Sequence, residues 1–273
     1  MRGFSDQVAP VQKTFEAYGV QIRVRVSTEE LMARAEPLFP PGYREIDPET
    51  EANLIGIVEE EDGSYSVYAG YEGANRALES GSLELALVTF DDQLQSMVAL
   101  GAVNLVFVHA GVVAQNGEAI VIPGNSFSGK STLVQALVRR GAVYFSDEFA
   151  VIDTDGMVHP YARPLNLRQF QREGEPWSGN RSVDSLGGVA GEERLPLGLA
   201  IVTHYVPGAE WSPRRLSRGE GALALLSHAI PARYRPSESL QMLSRAVDGA
   251  TVLEGERGEA AEFAQMLLEG APA

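Results

Sequence analysis

The stretch GNSFSGKST, residues 124–132, fits the spacing G-x-x-x-x-G-K-[ST]. Glycines so spaced let a loop turn its backbone N–H groups inward onto a phosphate, and the helix that follows adds the positive end of its dipole. Gly124, Asn125, Ser126, Phe127, Ser128, Gly129, Lys130, Ser131 and Thr132 are the candidate phosphate contacts. Lys130 is placed to reach the β- and γ-phosphates of a nucleoside triphosphate, and the Ser131 hydroxyl to ligate Mg²⁺. Asp147 and Glu148 follow in AVYFSDEFAVID, at the break between two apolar runs. One carboxylate there can hold Mg²⁺, directly or through water, and the other can take the proton of an attacking hydroxyl or water. An ordinary surface turn is the plain alternative for the pair, and the loop just upstream favours the chemical reading.

Other polar residues carry less. His109 ends the apolar run FVHAG, and alone it reads as a hydrogen-bonded core histidine sooner than a catalytic one. His159, His204 and His228 lack the spacing of a metal cluster and read as structural. Arginines fall in small groups, for most of which a solvated surface position is expected. Arg163, in the proline-bracketed YARPLNLR, is the candidate for a phosphate contact. Trp177 is either a docking residue or a loop anchor.

These residues need elements to hold them. The run VNLVFVHAGVVAQNGEAIVIPG predicts two or three short strands with a tight hairpin at Asn116-Gly117, feeding straight into the 124–132 loop. A helix over STLVQALVRRG should end at Gly141, and AVYFSDEFAVID predicts a strand pair interrupted by the acidic residues. Residues 171–195, rich in Gly, Ser and charge, read as a long mobile loop. Further on, PLGLAIVTHYV predicts a buried strand. Ser217 with Glu220 predicts a capping box ahead of a helix over GALALLSHA. A helix around 237–248, a strand at ATVLEG and a final helix over GEAAEFAQMLLEG complete the chain. Upstream, Val20, Ile22, Val24 and Val26 alternate with polar residues as in a half-buried strand. Ser27 with Glu30 predicts a capping box, Asp62-Gly63 a hairpin, and Asp91 the cap of a helix to about Ala102. The expected organisation is an N-terminal α+β module over 1–85 and an α/β domain over 86–273.

Composition narrows the functional classes. The chain carries 22 basic against 37 acidic residues, a net charge of −15, which argues against nucleic-acid or anionic-membrane partners. It has no cysteine, so thiolate chemistry and cysteine-ligated metals are excluded. No run approaches the roughly 20 apolar residues of a membrane span, and the first residues lack the apolar centre of a signal peptide, so a cytoplasmic location is expected.

Taken together, HAGVVAQNGEAIVIPG, GNSFSGKST and LVRRGAVYFSDEFAVID resemble, in order, the strand-hairpin entry, phosphate loop and acidic segment of the HPr kinase/phosphorylase family. YARPLNLR and the stretch from 199 to about 226 resemble the tail of HPr-kinase-related proteins. The family shares its P-loop type with phosphoenolpyruvate carboxykinase. The specific match spans about 103–170. The resemblance implies an α/β P-loop kinase core with a mixed sheet. It also implies ATP and Mg²⁺ as cofactors, and transfer of the γ-phosphoryl to a hydroxyl, typically serine, of a protein or precursor peptide. It places His109 near the transferring group, Lys130 and Ser131 on phosphate and metal, and base and metal contact on the acidic pair, and it is compatible with a homo-oligomer. Glu148 stands where the family has its second aspartate, so which of Asp147 and Glu148 is the base stays open. The alternatives are a kinase of a small-molecule hydroxyl and a nucleotide-binding sensor with little turnover.

Overall fold

A computed structural model of the chain describes residues 11–70, 76–125, 128–166 and 180–270. It divides into two compact units, Met1–Val103 and Asn104–Ala273. The boundary expected after residue 85 therefore lies further on, because one helix spans it.

In the first unit β1 (Val11–Ala17) and β2 (Val20–Val26) form a hairpin, followed by α1 (Glu29–Ala35) and β3 (Arg44–Glu45). Then come β4 (Asn53–Glu59), β5 (Tyr65–Gly70), β6 (Arg76–Ser80) and α2 (Leu83–Gly101). The strands make one sheet in the order β3-β1-β2-β4-β5-β6. Val20, Ile22, Val24 and Val26 are all buried, as their alternation requires. Gly63, in the turn between β4 and β5, has φ 79°, the conformation that the Asp-Gly pair supplies. Two expected helix starts shift. The N-cap of α1 is Thr28, whose hydroxyl accepts from Leu31 N at 3.1 Å, not Ser27. The hydroxyl of Ser27 instead takes Glu59 N at 3.3 Å. Helix α2 starts from Ser82, so Asp91 sits inside it. There the Asp91 carboxylate accepts from Gln95 Nε2 at 3.1 Å, one turn on.

The second unit opens with β7 (Leu105–Gln115), a single long strand, turned at Asn116 (φ 54°) and Gly117 (φ 81°) into β8 (Glu118–Pro123). Helix α3 (Lys130–Val138) precedes β9 (Val143–Ser146), β10 (Phe149–Asp153), β11 (Met157–His159), β12 (Leu165–Asn166) and β13 (Asn180–Arg181). Strand β14 (Leu195–Tyr205), β15 (Arg214–Arg215), α4 (Arg218–Leu226), α5 (Pro236–Ala246), β16 (Thr251–Arg257) and α6 (Ala260–Leu268) follow. The sheet is mixed, in the order β11-β10-β7-β8-β14-β16-β15, with β9 on β7. β11 also pairs with β14, which folds the sheet back on itself.

Strand β8 is antiparallel to β7 but parallel to β14, and β14 is parallel to β16. The carboxyl ends of β8, β14 and β16 therefore meet along one edge, where loops of parallel sheets place ligands. Both faces of this sheet are covered. Val112 and Val121 pack with Leu225, Met242 and Leu243, of α4 and α5, on one face. Val113, Ile120 and Ile122 pack with Leu133, Leu137 and Phe263, of α3 and α6, on the other. Residues 167–179, including Trp177 and part of the expected long loop, lie outside the described residues. Among the described residues no helix is long and apolar enough to cross a membrane.

Candidate functional site

The 124–132 loop leaves the end of β8 and enters α3 directly. Ser126 and Phe127 lie outside the described residues; the loop is described from both sides of them. Gly129 is the residue before the helix, at φ 83°, in the left-handed region that glycine adopts without strain. A side chain there would also meet Arg257, since a Cβ would stand 2.6 Å from its Nη2. Lys130 begins the helix, Ser131 is half-buried in its first turn, and Thr132 is exposed. Lys130 Nζ donates to the Asn125 carbonyl at 2.6 Å, folding the lysine back over the loop. Burial lowers the Lys130 pKa, while the charges of Asp147 and Glu148 pull it back up.

The acidic pair occupies the turn between β9 and β10. Asp147 is buried at 8% exposure, and its Oδ1 accepts the hydroxyl of the fully buried Tyr144 at 3.0 Å. The same hydroxyl lies 2.8 Å from the carbonyl of Arg163. Burial and the neighbouring Asp147 both push the Tyr144 phenol far above its usual pKa, so it stays protonated and donates. Ser146 shapes the turn: its hydroxyl accepts from Glu148 N at 3.1 Å and Phe149 N at 2.9 Å. The Glu148 side chain is more open, at 41% exposure, with Arg163 Nη1 at 3.8 Å. Arg163, the arginine singled out by sequence, therefore stands beside the acidic pair.

His109 ties these pieces together through its main chain. Its N–H donates to the His228 carbonyl at 2.9 Å, and its carbonyl accepts from Gly124 N at 3.1 Å. Its neighbour Ala110 donates to the Glu148 carbonyl at 3.0 Å. The start of the loop, the acidic turn and the end of α4 are thereby fixed around one residue of β7. The His109 ring rests on Phe149, centroids 5.1 Å apart. It has an open edge, yet enough protein surrounds it that desolvation, then the charges of Lys130 and His228, lower its pKa.

Two residues outside the sequence expectation join this site. His228, read as structural, reaches the loop: its Nδ1 is 3.2 Å from Asn125 Oδ1, and burial and Lys130 lower its pKa. Its position depends on where α4 ends, which no local spacing encodes. Arg257, at the end of β16, donates from Nη2 to the Gly129 carbonyl at 3.1 Å. The parallel β8-β14-β16 order brings it there, and only the three-dimensional pairing reveals that order. His204 pairs with Glu256 at 3.3 Å. His159 pairs with Asp153 at 2.8 Å, a carboxylate that also takes Arg194 at 2.6 Å.

A cleft of about 340 Å³ runs beside the loop, lined by Asn125, Ser128, Thr203, His204, His228 and Glu256 among others. A larger depression of about 410 Å³ on the outer face of α6 holds none of the residues above. The Ser128 hydroxyl is buried with no hydrogen-bond partner among the described residues. That is a donor a bound oxyanion could use. Ser131 and the two carboxylates make an all-oxygen set of the kind that could hold a hard cation such as Mg²⁺, which needs only one or two carboxylates beside phosphate oxygens. Among the described residues no cluster of three or more His, Cys, Asp or Glu is arranged to hold a metal unaided.

Fold and site thus define a mixed α/β chain in which one strand ties a strand–loop–helix element to a turn that carries a buried carboxylate. No family profile matches the chain, and no curated protein matches it. Among solved structures it is similar to the HPr(Ser) kinase/phosphatase from Coxiella burnetii, at 15% identity and a TM-score of 0.34, over 60% of this chain and 91% of that one. Likeness at that level leaves the functional reading to the side chains.

Proposed function

We propose that the chain is a Mg²⁺- and ATP-dependent kinase that transfers the γ-phosphoryl group to a hydroxyl, typically serine, of a protein or peptide. The observation that carries this reading is that adjacent residues of β7 hold both parts of the site: the His109 carbonyl accepts from Gly124 N at 3.1 Å at the start of the loop, and Ala110 N donates to the Glu148 carbonyl at 3.0 Å in the acidic turn. Loops of this kind need a cation on the phosphates and a carboxylate facing them.

In this reading the N–H groups at the start of α3 and Lys130 Nζ orient the triphosphate, and Lys130 exchanges the Asn125 carbonyl for a phosphate oxygen. Ser131 and Asp147 would hold Mg²⁺, which when bound would neutralise charge on the phosphate oxygens. Tyr144 keeps the Asp147 carboxylate in one orientation. Glu148, the more open of the two, meets the acceptor and takes the proton from its hydroxyl. The new O–P bond forms as the bond from the γ-phosphorus to the bridging oxygen breaks, and ADP leaves. Arg163 stands where it can hold the Glu148 carboxylate or a phosphate. A kinase of a small-molecule hydroxyl would use the same residues and differ in the size of its acceptor.

The test is incubation with γ-labelled ATP, Mg²⁺ and size-fractionated extract, for the native chain, Lys130→Ala and Glu148→Gln. Label on a protein or peptide that disappears in both variants supports the proposal. Label confined to small molecules moves the acceptor to that class. ATP binding with no transfer in any fraction overturns the kinase reading in favour of a nucleotide sensor.

A further inference from the structure

Arg257 is 2% exposed, a burial that arginine rarely reaches without a carboxylate partner. Its hydrogen bonds run to carbonyls instead: Nη2 to Gly129 at 3.1 Å and Nη1 to Gly258 at 3.0 Å. Its Nε is buried with no partner among the described residues. Tyr205 lies under the guanidinium at 5.5 Å, with its own hydroxyl donated to Glu259 at 2.7 Å. Glu259 thus meets the tyrosine hydroxyl, and among the described residues it makes no ion pair with the guanidinium. A cation held this way is left short of negative charge, and the element whose first carbonyl it holds, the amino end of α3, is itself positive.

We infer that Arg257 is a positioning residue for the phosphate site, and that the bound phosphates are the negative charge its environment lacks. The inference rests on the phosphate-binding reading of the loop and adds to it a residue remote in sequence. The link is the planarity of one peptide. The Gly129 carbonyl and the Lys130 N–H belong to the same rigid trans unit and point in opposite directions. A guanidinium that holds the carbonyl on the β16 side therefore holds the Lys130 N–H pointing out of the helix, where it has no intrahelical partner and can meet an anion. The same carbonyl accepts Leu133 N at 3.1 Å, so the guanidinium and the first helical turn share one anchor. Glycine at 129 is needed on both counts, since its φ is 83° and a Cβ would stand 2.6 Å from Arg257 Nη2. The β8-β14-β16 edge carries Arg257 to this point, with Tyr205 opposite it in the parallel register.

The experiment compares the native chain with Arg257→Met and Arg257→Lys. It measures Kd for Mg·ATP and for pyrophosphate, with the thermal midpoint of each protein free of ligand. Arg257→Met is expected to weaken both ligands by tenfold or more and by similar factors, because the effect lies at the phosphates and not at the nucleoside. The ligand-free midpoint should stay level or rise, since a buried charge short of counter-charge has been removed. Arg257→Lys, which keeps the charge but has a single donor nitrogen in place of the guanidinium fork, should recover part of the affinity. Two results overturn the inference: affinity within about twofold of native in Arg257→Met, or a fall in the ligand-free midpoint with no recovery by lysine, which would make the arginine a packing residue. If the native chain binds neither ligand, the loop reading itself fails and the inference falls with it. Native binding with indifferent variants removes the inference alone.

Discussion

Tyr144 and Asp147 are joined by a 3.0 Å hydrogen bond between a phenol with no exposed surface and a carboxylate with almost none. The two residues lie at opposite ends of one tight strand-to-turn segment. The phenol is also within 2.8 Å of the Arg163 carbonyl, so one hydroxyl orients two parts of the candidate site. Tyr144→Phe keeps the ring and removes only that oxygen. Losing a buried hydrogen bond to a carboxylate should cost about 1.5–3 kcal/mol of stability, read by denaturant unfolding. If Asp147 holds Mg²⁺, the same variant should also need several-fold more Mg²⁺ for half-maximal nucleotide binding. A stability loss with unchanged Mg²⁺ dependence would place Asp147 outside the metal site.

The histidines around the loop set a second expectation. His109 and His228 both have pKa values lowered from 6.5, by desolvation first and then by neighbouring positive charge. Below pH 6.5 the unfolded chain therefore binds protons that the folded chain refuses, so stability should fall as pH drops through that value and level off below the lowered folded values. His109→Gln and His228→Gln should each flatten this limb of a stability-versus-pH curve. An unchanged slope in both variants would show that neither ring is held neutral. Occupancy of the loop by phosphate should raise both pKa values, so the same limb should shrink when pyrophosphate is present.

A third expectation concerns the first turn of α4. Ser217 and Glu220 form the capping box that their spacing announces, with Glu220 N to Ser217 Oγ at 3.3 Å and Ser217 N to Glu220 Oε2 at 2.8 Å. Arg214 donates to the Glu220 carboxylate at 2.7 Å, and with Ser217 it holds the carboxyl down to about 2. The contribution of this depressed group is present above its unfolded value near 4.5 and is lost as pH falls towards 2. Acid unfolding of Glu220→Gln should accordingly lack part of the native pH dependence between those values. Ser217→Ala should cost about 1 kcal/mol at neutral pH by loss of the cap.

What could be read from sequence divides along physical lines. Asn116-Gly117, Ser217 with Glu220 and the alternation from Val20 to Val26 are local devices. Their chemistry is complete within a few residues, and each stands in the structure where its spacing places it. Thr28 displaced Ser27 because two adjacent hydroxyls compete for one helix start, whereas α2 runs further upstream than the expected cap, from Ser82, and takes Asp91 into its interior. The loop and the acidic turn were legible as motifs, and Arg163 as a candidate beside them. His228 and Arg257 were not. Each reaches the loop only because of how α4 ends or how β16 pairs with β14, and a parallel neighbour carries no local signature. The convergence on His109 belongs to the same class, since its partners come from three separated segments.

A close approach of α3 to the sheet supplies the last prediction. Gly111 lies in the middle of β7, where a Cβ would stand 2.5 Å from Val134 Cγ2 and 3.8 Å from Lys130 Cβ. Only a glycine lets the helix that begins with Lys130 lie this near the strand that holds His109. Gly111→Ala should cost about 1–3 kcal/mol by overpacking and should weaken nucleotide binding, because the relief available is a shift of α3 and its amino end. Val134→Ala alone removes two buried methyl groups, at about 0.8 kcal/mol for each carbon before any cavity term. In the double variant the missing methyls vacate the space that the new one needs. Its destabilisation should be smaller than the sum of the two by at least about 0.5 kcal/mol in a double-mutant cycle. Nucleotide affinity should recover with it. Additive stabilities, or affinity that stays low once the clash is relieved, would mean that Gly111 serves the strand and not the seating of α3.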